Sequence, residues 1–274
     1  MARCVVLLVD GLQPDAIRPQ ITPSLATLAA DYSHAPFAVT VRPSATVPAL
    51  LSLTTGVGPA THQLTEPGLG ALRRLGKLHP IPKELAAHHL PTVVVAGAVK
   101  ATEVPIARVL SNFAGVGRFV ATAGPARRVA AAARGRLRFV PDGLVFVYVN
   151  DCDRAGHAHG WMSRPYLEAV REIDVAVGIL RACAADSLFC VLADHGGGGV
   201  APTDHDAPHP VNDRIPLVLA GPRVRRKHVM QQPVSILDVP PTLLWWLGLE
   251  IPREYEGRLL RDAFLAADVA RAVA

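Results

Sequence analysis

Short unbroken apolar runs recur along the chain: Val5 to Val9, Thr92 to Val95, Leu144 to Val149, Leu188 to Ala193 and Ile215 to Ala220, each bounded by Pro, Gly or Asp. A strand with one wet face alternates apolar and polar positions. These runs do not alternate, so they predict strands covered on both faces, as in a parallel sheet. Between them the period lengthens. The stretch Thr22 to Ala30 opens with a possible cap and a proline in its first turn. From Ser163 to Ala185, Leu167, Val170, Ile173, Asp174, Val177 and Leu180 keep helical spacing, with Arg and Glu between them. A third helix is expected from Asp238 to Gly248, with Pro near its start and Gly at its end. Strands alternating with helices predict an α/β fold: a mostly parallel central sheet with helices on both faces. No repeat or low-complexity linker divides the sequence, so residues 1–274 are expected to form a single domain. The Ala/Arg-rich stretch Ala126 to Arg138 reads as an exposed helix.

Composition narrows the class. With 50% hydrophobic and 19% charged residues the chain can bury a core, and disorder is a poor fit. The formal charge is +5. Arg clusters lie at Arg73-Arg74, Arg127-Arg128 and Arg223 to Lys227, but no helix-turn-helix, zinc finger or aromatic platform accompanies them. The charge therefore reads mostly as a solvated face, one that would also favour a small anionic substrate, and nucleic acid is not the expected partner. Cys4, Cys152, Cys183 and Cys190 form no C-x-x-C pair and read as reduced, mostly buried thiols. The run Val5 to Val9 stops at Asp10, too short for a signal segment. No stretch approaches the ~18 apolar residues of a membrane span. A cytoplasmic protein without a membrane partner is the expectation, with oligomeric state open.

In an open α/β sheet, ligands sit beyond the carboxyl ends of the strands. Three of the runs end in acids: at Asp10-Gly11, at Asn150-Asp151-Cys152-Asp153 and at Asp194-His195-Gly196. Alone, Asp10-Gly11 is a turn dipeptide, and the glycines after His195 could form a flexible loop or a phosphate cradle. Carboxylates converging from one sheet need a cation. Asp153 and His157 stand four residues apart, and mixed Asp/His donors suit Zn²⁺ or Mn²⁺. His205 and His209 precede the run at Ile215, and spacing alone does not choose between them. Arg42-Pro-Ser44-Ala-Thr46-Val-Pro48 offers two hydroxyls ahead of an apolar stretch. One could be a helix cap; a hydroxyl at a helix N-terminus is also placed for a bound phosphate.

In this order the residues resemble the alkaline phosphatase superfamily, closest to its type I phosphodiesterase/nucleotide pyrophosphatase branch. The resemblance runs from Asp10-Gly11 through Pro43-Ser-Ala-Thr46-Val-Pro48, Thr55-Gly to His62, Asp153-x-x-Gly-His157, Asp194-His195-Gly-Gly and Ile215-Pro to Pro222, and on to Glu256-Gly-Arg258. It implies two divalent metal ions, Zn²⁺ with Mn²⁺ as the alternative. Asp10, Thr46, Asp194 and His195 would hold one ion; Asp153, His157 and a later His would hold the other. Counting back from Ile215-Pro216 favours His205. Thr46 would be the nucleophile of a phosphoester hydrolase, acting through a phospho-enzyme.

Ala45 and Ala49 stand where that branch usually has Lys and Asn, and Asn112 is only a loose match for its phosphate-binding Asn. These departures weaken a nucleotide as the substrate. The alternatives are a phosphomonoesterase, a sulfatase-type member or a non-catalytic metal-binding relative. Thr46-Val-Pro-Ala-Leu50 lacks the Cys and Arg of the sulfatase pattern, and Thr46 and Asp153 lie too close in sequence for the extra domain of the phosphomutases. Trp245-Trp246 reads as core or interface, while His62 and His159 could support the metal ligands. Arg73, Arg74, Arg108 and Arg118, within the least recognisable stretch, Gln63 to Gly143, could meet an anion.

Overall fold

The apolar runs pair into one sheet. A computed structural model describes residues 2–64, 73–100 and 102–266. Among the described residues the strands are β1 (Arg3–Val9), β2 (Ser33–Val39), β3 (Thr92–Gly97), β4 (Arg118–Thr122), β5 (Gly143–Val149), β6 (Leu188–Ala193), β7 (Arg214–Ala220) and β8 (His228–Val229), in the spatial order β4-β3-β5-β1-β6-β7-β2-β8. All five expected strands are present. Cys4 to Val9 of β1 are fully buried. Each large aliphatic side chain so placed contributes about 1.5–3 kcal/mol.

The sheet is mostly parallel, with β7 antiparallel to both β6 and β2. No helical crossover separates β6 from β7. The chain therefore leaves β6 and re-enters β7 at the same edge, which holds residues 194–213 at the carboxyl end of the sheet. The sequence did not signal β2, because Pro36 interrupts it; the register shifts between Ala35 and Ala38, where the missing N–H is tolerated.

The helices used below are α1 (Pro23–Asp31), α2 (Thr46–Thr55), α3 (Pro59–His62), α4 (Ile81–Ala87), α5 (Val104–Phe113), α6 (Ala126–Leu137), α7 (Asp151–His159), α8 (Arg164–Cys183), α9 (Pro210–Asp213) and α10 (Val239–Trp246). Two local expectations are corrected. Thr22 does not cap α1 with its side chain; Asp174 of α8 accepts from the N–H groups of Ser24 and Leu25, at 3.0 and 2.8 Å. The polar residue on the apolar stripe of α8 is thus a cap supplied in space. Nor is the Ala126 stretch simply an exposed helix. Its Ala126, Val129, Ala130, Ala133 and Leu137 are buried, and the helix packs on α8, β3 and β5 with its arginines outward. Small alanines allow that close approach.

Trp246 is core, its Nε1–H donating to the Arg3 carbonyl at 3.1 Å. All four cysteines are free, and all but Cys183 are buried. No described helix is long and apolar enough to cross a membrane.

Candidate active site

Strand register brings the acids together. Val9 pairs with Val149 on one side and Ala193 on the other, so the chain emerges level at Asp10, Asn150 and Asp194. Gly11 turns the chain at φ +68°, and a Cβ there would come within 3.0 Å of Asp153 Cβ. Its N–H donates to Asp194 Oδ1 at 3.1 Å, and its carbonyl accepts from Trp161 Nε1 and the Tyr166 hydroxyl. The glycines after His195 pack closely against their neighbours. Gly196 and Gly197 are buried, and a Cβ on Gly197 would lie 2.1 Å from the Trp161 ring.

Thr46 begins α2, whose N-terminus has no side-chain cap. The expected hydroxyl cap is absent for a reason. Ser44 instead donates to Asp213, which also takes Arg42, while Thr46 Oγ1 lies 3.2 Å from His195 Nε2 and 3.5 Å from Asp10 Oδ1. His195 Nε2 is 3.1 Å from Asp10 Oδ1, and the His195 and His205 rings stack at 4.0 Å. His205 Nε2 and His157 Nε2 lie 4.0 and 3.5 Å from Asp153 Oδ1.

Ligand atoms of Asp10, Asp194 and His195 fall within 4.8 Å of one another, as do those of Asp153, His195 and His205. His157 stands at the rim of these groups, with its side chain 45% exposed. His209 is elsewhere, capping α9 through Val211 N–H. His62 is buried between Ser52 Oγ and Leu64 N–H and braces α2 against the following turn. His159 and Asn112 are exposed. Arg73, Arg108 and Arg118 are exposed, and Arg74 donates to Gln63; residues 65–72 of that stretch lie outside the described residues.

The donor set fits divalent ions. Asp153 Oδ1 and Asp194 Oδ2 are buried without a hydrogen-bond partner, an arrangement that is costly unless a cation meets them. The imidazoles are oriented from behind: Nδ1 of His195, His205 and His157 faces the carbonyls of Gly196, Ser44 and Thr203 at 2.8, 2.9 and 3.0 Å. A carbonyl only accepts, so each Nδ1 carries a hydrogen and Nε2 is the atom each ring turns toward the carboxylates, where it would be free to meet a metal ion.

Electrostatics agree. Burial, with the charge of Asp10 added, lifts the Asp194 carboxyl to about 8 and that of Asp153 to about 6. Burial opposes a charge on His195, yet Asp194 and Asp10 raise its imidazolium to about 10. Burial also works against Asp10, but His195 and then the Tyr148 hydroxyl hold its carboxyl below the usual range. Tyr148 donates to Asp10 Oδ2 and was not signalled by the sequence, since it looks like one more apolar position of β5.

The type I phosphodiesterase/nucleotide pyrophosphatase family matches residues 4–68 and 99–237, most of the chain and every residue of the cluster. The chain belongs to that family. A 2,3-bisphosphoglycerate-independent phosphoglycerate mutase from Rhodopirellula baltica is 29% identical over 126 residues, 44% of this chain and 22% of the mutase. The chain thus spans under a quarter of the length of the curated relatives it matches.

Among solved structures, murine ectonucleotide pyrophosphatase/phosphodiesterase 5, an inactive Thr-to-Ala variant in complex with AMP, is similar at TM-score 0.76 and 13% identity, over 97% of this chain and 100% of that one. A putative sulfatase from Bacteroides fragilis is similar at 0.74 and 16%, over 96% and 78%. At these identities the likeness is one of fold. The family membership and the shared architecture place the chain in the alkaline phosphatase superfamily.

Proposed function

We propose that the chain is a metal-dependent phosphoester hydrolase with Thr46 as its nucleophile and a phospho-threonine intermediate. The observation that carries this reading is the Thr46 hydroxyl at an uncapped helix N-terminus, within 3.5 Å of both Asp10 and His195. Asp10, Asp194 and His195, with Thr46, would hold one divalent ion, and Asp153, His205 and His157 the other. Zinc suits the mixed Asp/His donors, with manganese as the alternative. Bound there, the ions supply positive charge that lowers the hydroxyl pKa and neutralises phosphoryl oxygens.

The chain's own groups do the rest. Thr46 Oγ1 attacks phosphorus in line; the new O–P bond forms as the bond to the leaving oxygen breaks, and the leaving group departs opposite. Asp10 Oδ1 is the carboxylate oxygen within reach of the hydroxyl proton. The N–H groups of Thr46 and Val47 at the start of α2 would favour the same anion; Pro48 has none. Water then attacks the phospho-threonine, restoring Thr46 and releasing the phosphate product.

A single domain over residues 1–274 and a small anionic substrate complete the reading. The unpaired cysteines are consistent with a cytoplasmic setting.

The test is turnover of bis-p-nitrophenyl phosphate and p-nitrophenyl phosphate by metal-depleted protein with Zn²⁺ or Mn²⁺ restored, beside Thr46→Ala. The expected result is metal-dependent hydrolysis of the diester, abolished by the substitution. Preference for the monoester would make it a phosphatase, and metal binding without turnover of either would make it a non-catalytic relative.

A further inference from the structure

Beside the cluster lies a cavity of about 340 Å³ that the chemistry above leaves unused. Its floor is one face of the sheet: Thr92, Val94 and Ala96 of β3 lie opposite Leu144, Phe146 and Tyr148 of β5 in register. Two strands lined for five residues make a slot about 13 Å long at ~3.3 Å per residue. Helices α2, α4 and α5 form the other walls. Two lining residues adjoin the reaction centre: Val47 follows Thr46 directly, and Tyr148 donates its hydroxyl to Asp10.

Protein interiors leave few voids of this size, and a large apolar pocket beside convergent polar groups is the usual form of a ligand site. Two features agree. Helix α5 buries none of its residues although it roofs the slot. Leu64 and Leu75 form a small apolar cluster of their own, with Leu51 and Leu110 against it, apart from the main core.

The lining also says what kind of group belongs there. Among the described residues it holds no charged side chain, and its hydroxyls besides Tyr148 are those of Thr54, Thr92 and Ser111. Thr54 is already bonded to the Leu50 carbonyl. A nucleobase would bury several ring and exocyclic polar groups without partners, each at a desolvation cost. An aliphatic chain has none to satisfy.

We propose that this slot binds a long aliphatic ester group of the substrate, making the chain selective for phosphodiesters that carry an alkyl or acyl chain rather than a nucleoside. The proposal rests on the phosphoester reading of Thr46.

Metal-restored protein is assayed with p-nitrophenyl phosphodiesters whose second ester is methyl, butyl, octyl or dodecyl, below micelle-forming concentrations, beside p-nitrophenyl thymidine 5′-phosphate. We expect kcat/KM to rise about fourfold per added methylene, the factor equivalent to about 0.8 kcal/mol per buried CH₂, and to level off when the slot is full. Leu110→Trp, which fills the slot from α5, should flatten that rise. A rate independent of chain length, or the thymidine ester preferred over the octyl, overturns the slot while the hydrolase reading stands. Calorimetric binding of octyl phosphate against methyl phosphate to Thr46→Ala protein reads the slot without turnover. Tighter octyl binding with a negative heat-capacity change supports it even if no ester is hydrolysed, whereas equal binding of the two overturns it.

Discussion

Asp10 meets Thr46, His195 and Tyr148 at once, so small changes around it have legible consequences. Tyr148→Phe removes a donor that holds the Asp10 carboxyl down. Its pKa should rise, and the acid limb of the pH–rate profile should move to higher pH, with little change in the alkaline limb. At Thr46 the hydroxyl and the methyl separate cleanly. Thr46→Ser keeps the nucleophile but frees χ1, so turnover of the diester should fall and remain measurable, while Thr46→Ala should show none. Much at this scale was legible, because Asp, His and Thr are the residue types such chemistry requires. Tyr148 was not, because a tyrosine in a buried strand reads as packing until its hydroxyl is seen to have a partner.

Two elements hold their places through contacts that no local pattern encodes. Asp174 caps α1 from another helix, and Asp174→Ala should cost about 1–2 kcal/mol, the usual worth of a cap. For a domain of this size that is a fall of roughly 2–8 °C in Tm by calorimetry, with catalysis unaffected at lower temperature. The segment from Arg42 to Thr46 is tied at Asp213, which accepts from Arg42 and Ser44; the Ser44 carbonyl in turn orients His205. Asp213→Ala should therefore weaken metal binding about tenfold or more in a competition titration with a chelator, although Asp213 touches no ligand atom of the cluster. The loops that supply His205 and Ser44 meet only because β7 and β2 are neighbours in the sheet.

For the whole molecule, gathering three carboxylates in a buried pocket sets stability against function. Asp194 and Asp153 have folded-state pKa values of about 8 and about 6, above those of the unfolded chain. Groups raised in this way bind protons more tightly when folded, so their contribution is full below pH ~4 and is lost as pH rises through about 6 and then 8. His195, raised to about 10, acts in the same direction. Chelator-treated protein should lose Tm between pH 6 and 9. Adding a divalent ion, or making Asp194→Asn, should reduce that loss. A Tm that stays level over this range in the chelated wild type would contradict the crowding of charge described here.

The sequence by itself determined the α/β class, the five central strands and the order of Asp, Thr and His groups along the chain. Strand burial and helical spacing are local periodicities, and ligand chemistry belongs to residue type. Tertiary structure decided what depends on neighbours distant in the chain. It turned β7 antiparallel and so returned the 196–213 loop to the carboxyl edge, bringing His205 to Asp153 and leaving His209 as a cap. It packed Trp161 against the glycines after His195 and lent Asp174 to α1. The slot, too, exists only as space between β3, β5 and three helices, and no one-dimensional pattern records where side chains fail to meet.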